Sequence, residues 1–229
     1  PLWVFKASGG RLTPSTPTGT DFWSTGTFVE ATGKFINGSN AEAVPSDGQR
    51  CDFGDFYASK TFHDPVADER VIIGWVLEEP GHSPLLEWKS MQSTPRAIRE
   101  DPLLPHRLVF NPVDSLRSLR VLPPAASLGA QSIAPHSTTT LPSSSSRLDI
   151  VLSFSPPFAP GASFGVSVLG NGTNVTIAPA AEDECHDSAT IDPGISTACA
   201  QLSVGPPAGG NGHRGPFSYR TDEPLELRV

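Results

Sequence analysis

From Trp3 to about Arg99 the chain is cut into short apolar runs of strand length by Gly, Pro, Asn and Asp, and no stretch of helical period separates one run from the next. The clearest are Trp3-Val4-Phe5-Lys6-Ala7, Asp21 to Phe28, Asp55 to Phe62 and Arg70 to Val76. Parallel strands would require crossover segments, generally helices, so these runs are expected to pair as antiparallel meander strands. Composition supports the same reading. With 21 Gly and 24 Pro in 229 residues, about a fifth of the chain disfavours helix interiors. The 12 Phe and 4 Trp supply apolar mass for a core, which separates an all-β chain with long turns from a disordered one. Thr13 to Thr20 and Gly38 to Gln49 read as loops.

The pattern changes after Arg99. Asn111 to Arg120 is the one plausible helix, short, with Val113, Leu116 and Leu119 or Arg120 in register. Pro123 to Arg147 is rich in Pro, Ala, Ser and Thr and ends in four consecutive serines, the composition of an exposed linker or long inserted loop. Beyond it, Leu148, Ile150, Leu152 and Phe154 alternate, as do Phe164, Val166 and Val168, then Val175 and Ile177. A second β unit with one buried face is expected there. Ala178 to Gly215 reads as largely turn-forming, and Leu225 to Val229 as another strand. The chain opens on Pro1 without an initiator Met and closes on an alternating pattern, so both ends read as cut through structure.

Sixteen Lys and Arg against 24 Asp and Glu give a net charge of −8 without a basic block, which disfavours nucleic acid and anionic membrane as partners. No apolar run approaches the roughly 18 residues of a membrane span. Three Asn-x-Ser/Thr sequons, at Asn37, Asn171 and Asn174, stand in turn-like sequence and lean toward the secretory route. Cys185 and Cys199 enclose a short polar loop whose closure as a disulfide would contribute about 3 kcal/mol in an oxidising compartment, leaving Cys51 unpaired. The alternative is three free thiols. The 6 His have no partners at metal-ligand spacing, and neither a metal nor another cofactor is expected.

Cys51-Asp52-Phe53-Gly54-Asp55-Phe56-Tyr57-Ala58-Ser59-Lys60-Thr61-Phe62 resembles the segment that glycoside hydrolase family 32, the β-fructofuranosidases or invertases, writes as Asp-Tyr-Gly followed by Phe-Tyr-Ala-Ser-Lys-Thr-Phe. Five further matches follow in family order. Arg70 to Trp75 resembles the Arg-Arg-Val-Leu-Trp-Gly-Trp strand, and Met91 to Arg96 resembles the Val-Gln-Ser-Phe-Pro-Arg turn. Asn111 to Arg120 resembles the helix joining the two family domains. Ala162 to Gly165 and Leu225 to Val229 resemble segments of the family's sandwich. The resemblance implies late blades of a five-bladed β-propeller over residues 1–110, a connecting helix over 111–122, the linker or loop over 123–147, and a truncated C-terminal β-sandwich over 148–229.

It also implies chemistry: retaining hydrolysis of terminal fructosyl bonds in sucrose or fructans by a nucleophilic carboxylate and a carboxylic acid about 5 Å apart. The family places these in Asn-Asp-Pro and Glu-Cys-Pro-Asp motifs, and neither occurs in these 229 residues. Glu184-Cys185-His186-Asp187 and Asp192-Pro193 mimic such motifs but follow the helix, where a carboxylate would stand far from the propeller axis. No catalytic residue is therefore assigned. What the resemblance does assign is substrate contact, to Asp52 as acceptor of sugar hydroxyls and to Tyr57 and Trp75 as aromatic flanks. The plain alternatives are an Asx turn for Asp52 and core packing for the two rings. Asp55 stands where plant sucrose-cleaving members often carry Lys. Lys60 and Gln92 read as structural. Two functions compete: part of a secreted, cell-wall or vacuolar β-fructofuranosidase acting on sucrose or fructan, or a catalytically inactive carbohydrate-binding or regulatory homologue.

Overall fold

Every strand pairing is antiparallel in the computed structural model of the chain, which describes residues 3–9, 19–37, 49–77, 88, 90–102, 107–141, 148–159, 161–168, 172–180, 197–205 and 213–229. The first sheet takes β1 (Trp3–Gly9), β2 (Thr20–Val29) and β3 (Lys34–Asn37) in sequence order. A five-stranded sheet follows, built from β4 (Phe56–Asp64), β5 (Glu69–Val76), β6 (Met91–Gln92), β7 (Arg96–Glu100) and β8 (Leu108–Pro112). Its order is β4-β5-β7-β8, with β6 also paired to β5, opposite Trp75 and Val76. The aromatic and β-branched runs of the sequence thus become strands, and the meander expected for the first half of the chain is the one observed.

Strand β5 organises the packing because both of its faces are covered. Ile72 joins Trp23, Cys51, Phe56 and Leu108 in one buried cluster, with Ile98 and Phe110 packed against it. Neighbouring Val71 points the other way and meets Ala97 and Val113. Each such aliphatic side chain contributes roughly 2 kcal/mol by leaving water. Gly74 on β5 lies directly under the Phe56 ring, where a Cβ would sit 2.3 Å from two ring carbons.

The segment read as a helix over 111–120 divides differently. Residues through Pro112 complete β8, an edge strand where the missing proline N–H costs no ladder bond. Only Asp114–Leu119 is helical, and it is 3-10, with no side-chain cap at Val113. Val113 is buried, whereas Leu119 is exposed. A chain leaving an edge strand with one apolar anchor and no capping oxygen closes i to i+3 bonds, as Leu116 N–H does to Val113 O, and stops. Residues 121–141 carry no strand or helix.

The second half forms a four-stranded sheet, β10 (Phe164–Val168), β11 (Thr173–Pro179), β12 (Thr197–Gly205) and β13 (His213–Arg220), beside a pair of β9 (Val151–Phe154) with β14 (Leu225–Arg228). Strand β12 and the first residues of β13 occupy sequence read as turn-forming. Their residues between Thr197 and Gly205 are mostly small, and the ladder with β11 supplies the order that their propensity lacks. The apolar face carries Phe164, Val175, Ile177, Leu202, Ala200, Phe217 and Tyr219 in one register. Phe154 of β9 meets Phe164 at 4.6 Å between ring centroids, which joins the two sheets. With almost no helix, the described chain is all-β, as expected.

Candidate sugar-contact site

The candidate site begins at the turn entering β4. Asp52 Oδ1 accepts the Gly54 N–H at 2.7 Å, an Asx turn, and Asp52 Oδ2 accepts Arg96 Nη1 at 2.8 Å. The carboxylate is still a third exposed, so lone pairs remain for a further donor. Arg96 comes from the start of β7, and its guanidinium lies over the Phe56 ring, 4.6 Å from the centroid. Asp52 is therefore a turn former and a fixed, charge-paired acceptor at once.

Tyr57 and Trp75 face each other across β4 and β5, with ring centroids 6.5 Å apart. Trp75 is exposed and Tyr57 half-buried, so this pair is not core packing of the kind Phe56 provides. Adjacent residues on a strand point to opposite faces, so Tyr57 stands on the other side of β4 from Phe56 and the stacked Arg96. The structure joins Tyr57 to Trp75 and Asp52 to Arg96, and the two pairs occupy opposite faces of the same sheet end. Asp55, between them, gives its carbonyl to Leu77 N–H, and its buried Oδ1 has no hydrogen-bond donor among the described residues. Lys60 is an exposed strand residue and Gln92 an exposed one opposite Trp75.

What holds this end together is a residue to which the sequence assigned no role. Asp21, fully buried on β2, fills the gap opened by an irregularity in β4. Register shifts between Tyr57 and Lys60, with Ala58 at φ 49°, and the amides of Ala58 and Ser59 turn to Asp21. Ala58 N–H donates to Oδ1 at 3.1 Å and Ser59 N–H to Oδ2 at 2.6 Å, joined by the Ser59 hydroxyl and by Lys6 Nζ at 3.1 Å. Burial pushes the carboxyl up, but the hydrogen bonds from Ser59, Ser8 and Lys6 outweigh it and hold it below the ordinary 3.8. The Asp21 carbonyl also accepts Cys51 N–H at 2.9 Å, so one residue fixes both approaches, to Asp52 and to Tyr57. Cys51 is a free, buried thiol pushed up to about 12, by burial first and by the Asp21 charge second.

The remaining sequence-named residues lie elsewhere. Cys199 on β12 is disulfide-bonded. Cys185, Glu184, Asp192 and Asn171 lie outside the described residues, as do most of the two loops expected before β2 and after β3. Asn37 ends β3 and Asn174 sits in β11 between two neighbouring strands, so neither is in the turn its sequon suggested. Among the described residues no three His, Cys, Asp or Glu gather at metal-binding range. No helix among them is long and apolar enough to cross a membrane.

This β scaffold carries an ion-paired, part-exposed carboxylate on one face of a sheet end and an aromatic pair on the other, and it resembles known proteins. Residues 2–112 match the glycosyl hydrolases family 32 N-terminal domain. An acid beta-fructofuranosidase of Solanum lycopersicum is 38% identical over 103 residues, covering 44% of this chain and 16% of that protein. A vacuolar acid beta-fructofuranosidase 2 from a Rosa hybrid cultivar is 34% identical over the same length and shares. The exo-inulinase of Aspergillus awamori superposes with a TM-score of 0.58 over 99% of this chain and 50% of its own, at 15% identity, a likeness of fold. Residues 2–112 belong to glycoside hydrolase family 32. The chain spans about half the length of that solved structure, and the matched stretch a sixth of the curated relatives.

Proposed function

We propose that this chain forms the sugar-contacting side of a β-fructofuranosidase-like protein of the vacuole or the secretory route, acting on terminal fructosyl units of sucrose or fructans by a retaining mechanism. In this reading β1 to β8 are late blades of a five-bladed propeller and β9 to β14 belong to the sandwich. The observation that carries it is the Asp52 carboxylate, part exposed and pinned by Arg96, within the segment that matches family 32. Asp52 accepts sugar hydroxyls, and Tyr57 with Trp75 forms a separate apolar flank. The plant relatives, one named vacuolar, support the compartment. The 229 residues bind a fructoside without cleaving it, since the two carboxylate motifs that resemblance assigns to the chemistry do not occur among them.

The test is titration of the 229-residue chain with sucrose and with 1-kestose, followed by tryptophan fluorescence and calorimetry, beside a reducing-sugar assay. Saturable binding without sugar release is expected. Asp52→Asn keeps an acceptor for Gly54 N–H and so keeps the turn, but loses the charge; affinity should fall about tenfold. Absence of saturable binding would refute the sugar reading. Release of reducing sugar that Glu184→Gln abolishes would move the chemistry into the second half of the chain.

A further inference from the structure

The turn that carries Asp52 is held from the second half of the molecule. Phe53 sits at its apex, between the Asp52 carboxylate and the Gly54 amide that it accepts. Its ring lies against Gly215 of β13, so close that a Cβ at 215 would stand 2.4 Å from Cγ and Cδ2 and 2.9 Å from Cε2. The Arg50 guanidinium lies 5.8 Å from the ring centroid. Gly215 is itself buried.

The position of Gly215 on β13 gives this contact its meaning. Residues 215, 217 and 219 share one face of the strand. Phe217 and Tyr219 form an aromatic row there, their centroids 6.2 Å apart, that continues to Phe158 at 6.1 Å. The row is interrupted at Gly215, opposite Leu202 of β12, and the space a side chain would fill is taken by Phe53 from the other half of the chain. We infer that Phe53 is a positioning residue for Asp52, seated on Gly215, so that the β9–β14 half sets the geometry with which the candidate site meets its ligand. A ring held against a strand fixes the peptide planes on either side of it, and those planes carry the Asp52 side chain and the Gly54 N–H. The inference rests on the reading of Asp52 as a sugar contact only for its functional consequence; the mechanical coupling stands on the contact itself.

Gly215→Ala places a methyl group where the ring is and must displace Phe53. In the full 229-residue chain, hydrogen exchange of the Gly54 amide, read by NMR, should accelerate about tenfold as its bond to Asp52 loosens. Exchange at Phe62 and Val71, within the β4–β5 ladder, should not change. Sucrose or 1-kestose affinity should fall by about the same factor. In a Phe53→Ala background the added Gly215→Ala should alter neither quantity, because the ring that transmits the clash is gone. Unchanged Gly54 exchange in Gly215→Ala, or an effect that persists without the Phe53 ring, overturns the inference. Faster Gly54 exchange with unchanged affinity upholds the coupling and removes Asp52 from the sugar site instead. If Gly215→Ala does not fold, Phe53→Ala alone decides: the same acceleration at Gly54 is expected, and its absence overturns the coupling.

Discussion

A buried carboxylate near the start of a strand is tolerated only when its surroundings supply donors, and Asp21 has three kinds: backbone amides, serine hydroxyls and an ammonium. Replacing it with Asn keeps the shape but turns an amide NH2 against donors and leaves Lys6 without its counter-ion. A loss of roughly 3 kcal/mol in stability is expected, read as a lowered Tm. The pH dependence has a definite sign. Because the carboxyl is held below 3.8 in the folded state, its contribution is complete above that value and disappears as pH falls through the folded pKa, where the unfolded chain binds the proton more readily. Acid unfolding below about pH 4 should therefore be shallower in Asp21→Asn than in the parent; equal acid slopes would remove Asp21 from the account. The Asp52-Phe53-Gly54 turn was legible in the sequence because its hydrogen bond closes within three residues. The partners that make it a site were not, since Arg96 lies 44 positions from Asp52 and Ser59 38 from Asp21. The one local cue to Asp21 was an acidic residue opening an aromatic strand, which strands disfavour.

Among the elements, β1, β2, β4 and β5 announced themselves because aromatic and β-branched residues fill them, while β12 and β13 did not. Strand β13 contains Gly215 and Pro216, and only its pairing along the whole of β12 gives it form. The same dependence on neighbours makes Gly74 a sensitive position on β5. Gly74→Ala drives a methyl into the Phe56 ring, which is itself wedged among Ile72, Trp23 and Leu108, and the ring cannot yield without opening that cluster. A destabilisation of roughly 2 kcal/mol is expected, and Phe56→Leu should relieve part of it in the double variant. Additive losses measured by urea unfolding would mean that Phe56 and Gly74 are not in contact. The stretch at 111–120 teaches the complementary lesson: its apolar spacing fits a helix, yet the strand preceding it takes Asn111 and Pro112 first and leaves too few residues for an α-helical nucleus.

At the scale of the molecule, the first sheet carries an exposed aromatic patch at one end of one face. Trp3, Phe5, Phe28 and Phe35 share that face, with Trp3 and Phe28 5.3 Å apart and Phe5 and Phe35 5.6 Å apart, and the first three are exposed. A contiguous aromatic surface of this kind binds apolar dyes or other surfaces. The 229-residue chain should bind such a dye while still native by near-ultraviolet circular dichroism, and Phe5→Lys should reduce the signal severalfold. A chain that binds no dye and melts as a reversible, two-state monomer would show this face to be covered in solution. The division into two β units was legible from the change of composition after Arg120, but the contact between them was not, because a lone glycine in a strand carries no mark of what lies against it. That glycine has an evolutionary corollary. Any protein that keeps this arrangement and gains a side chain at the position of Gly215 must shrink the residue at the position of Phe53, so these two positions, one in each half of the chain, should vary together across relatives and not independently.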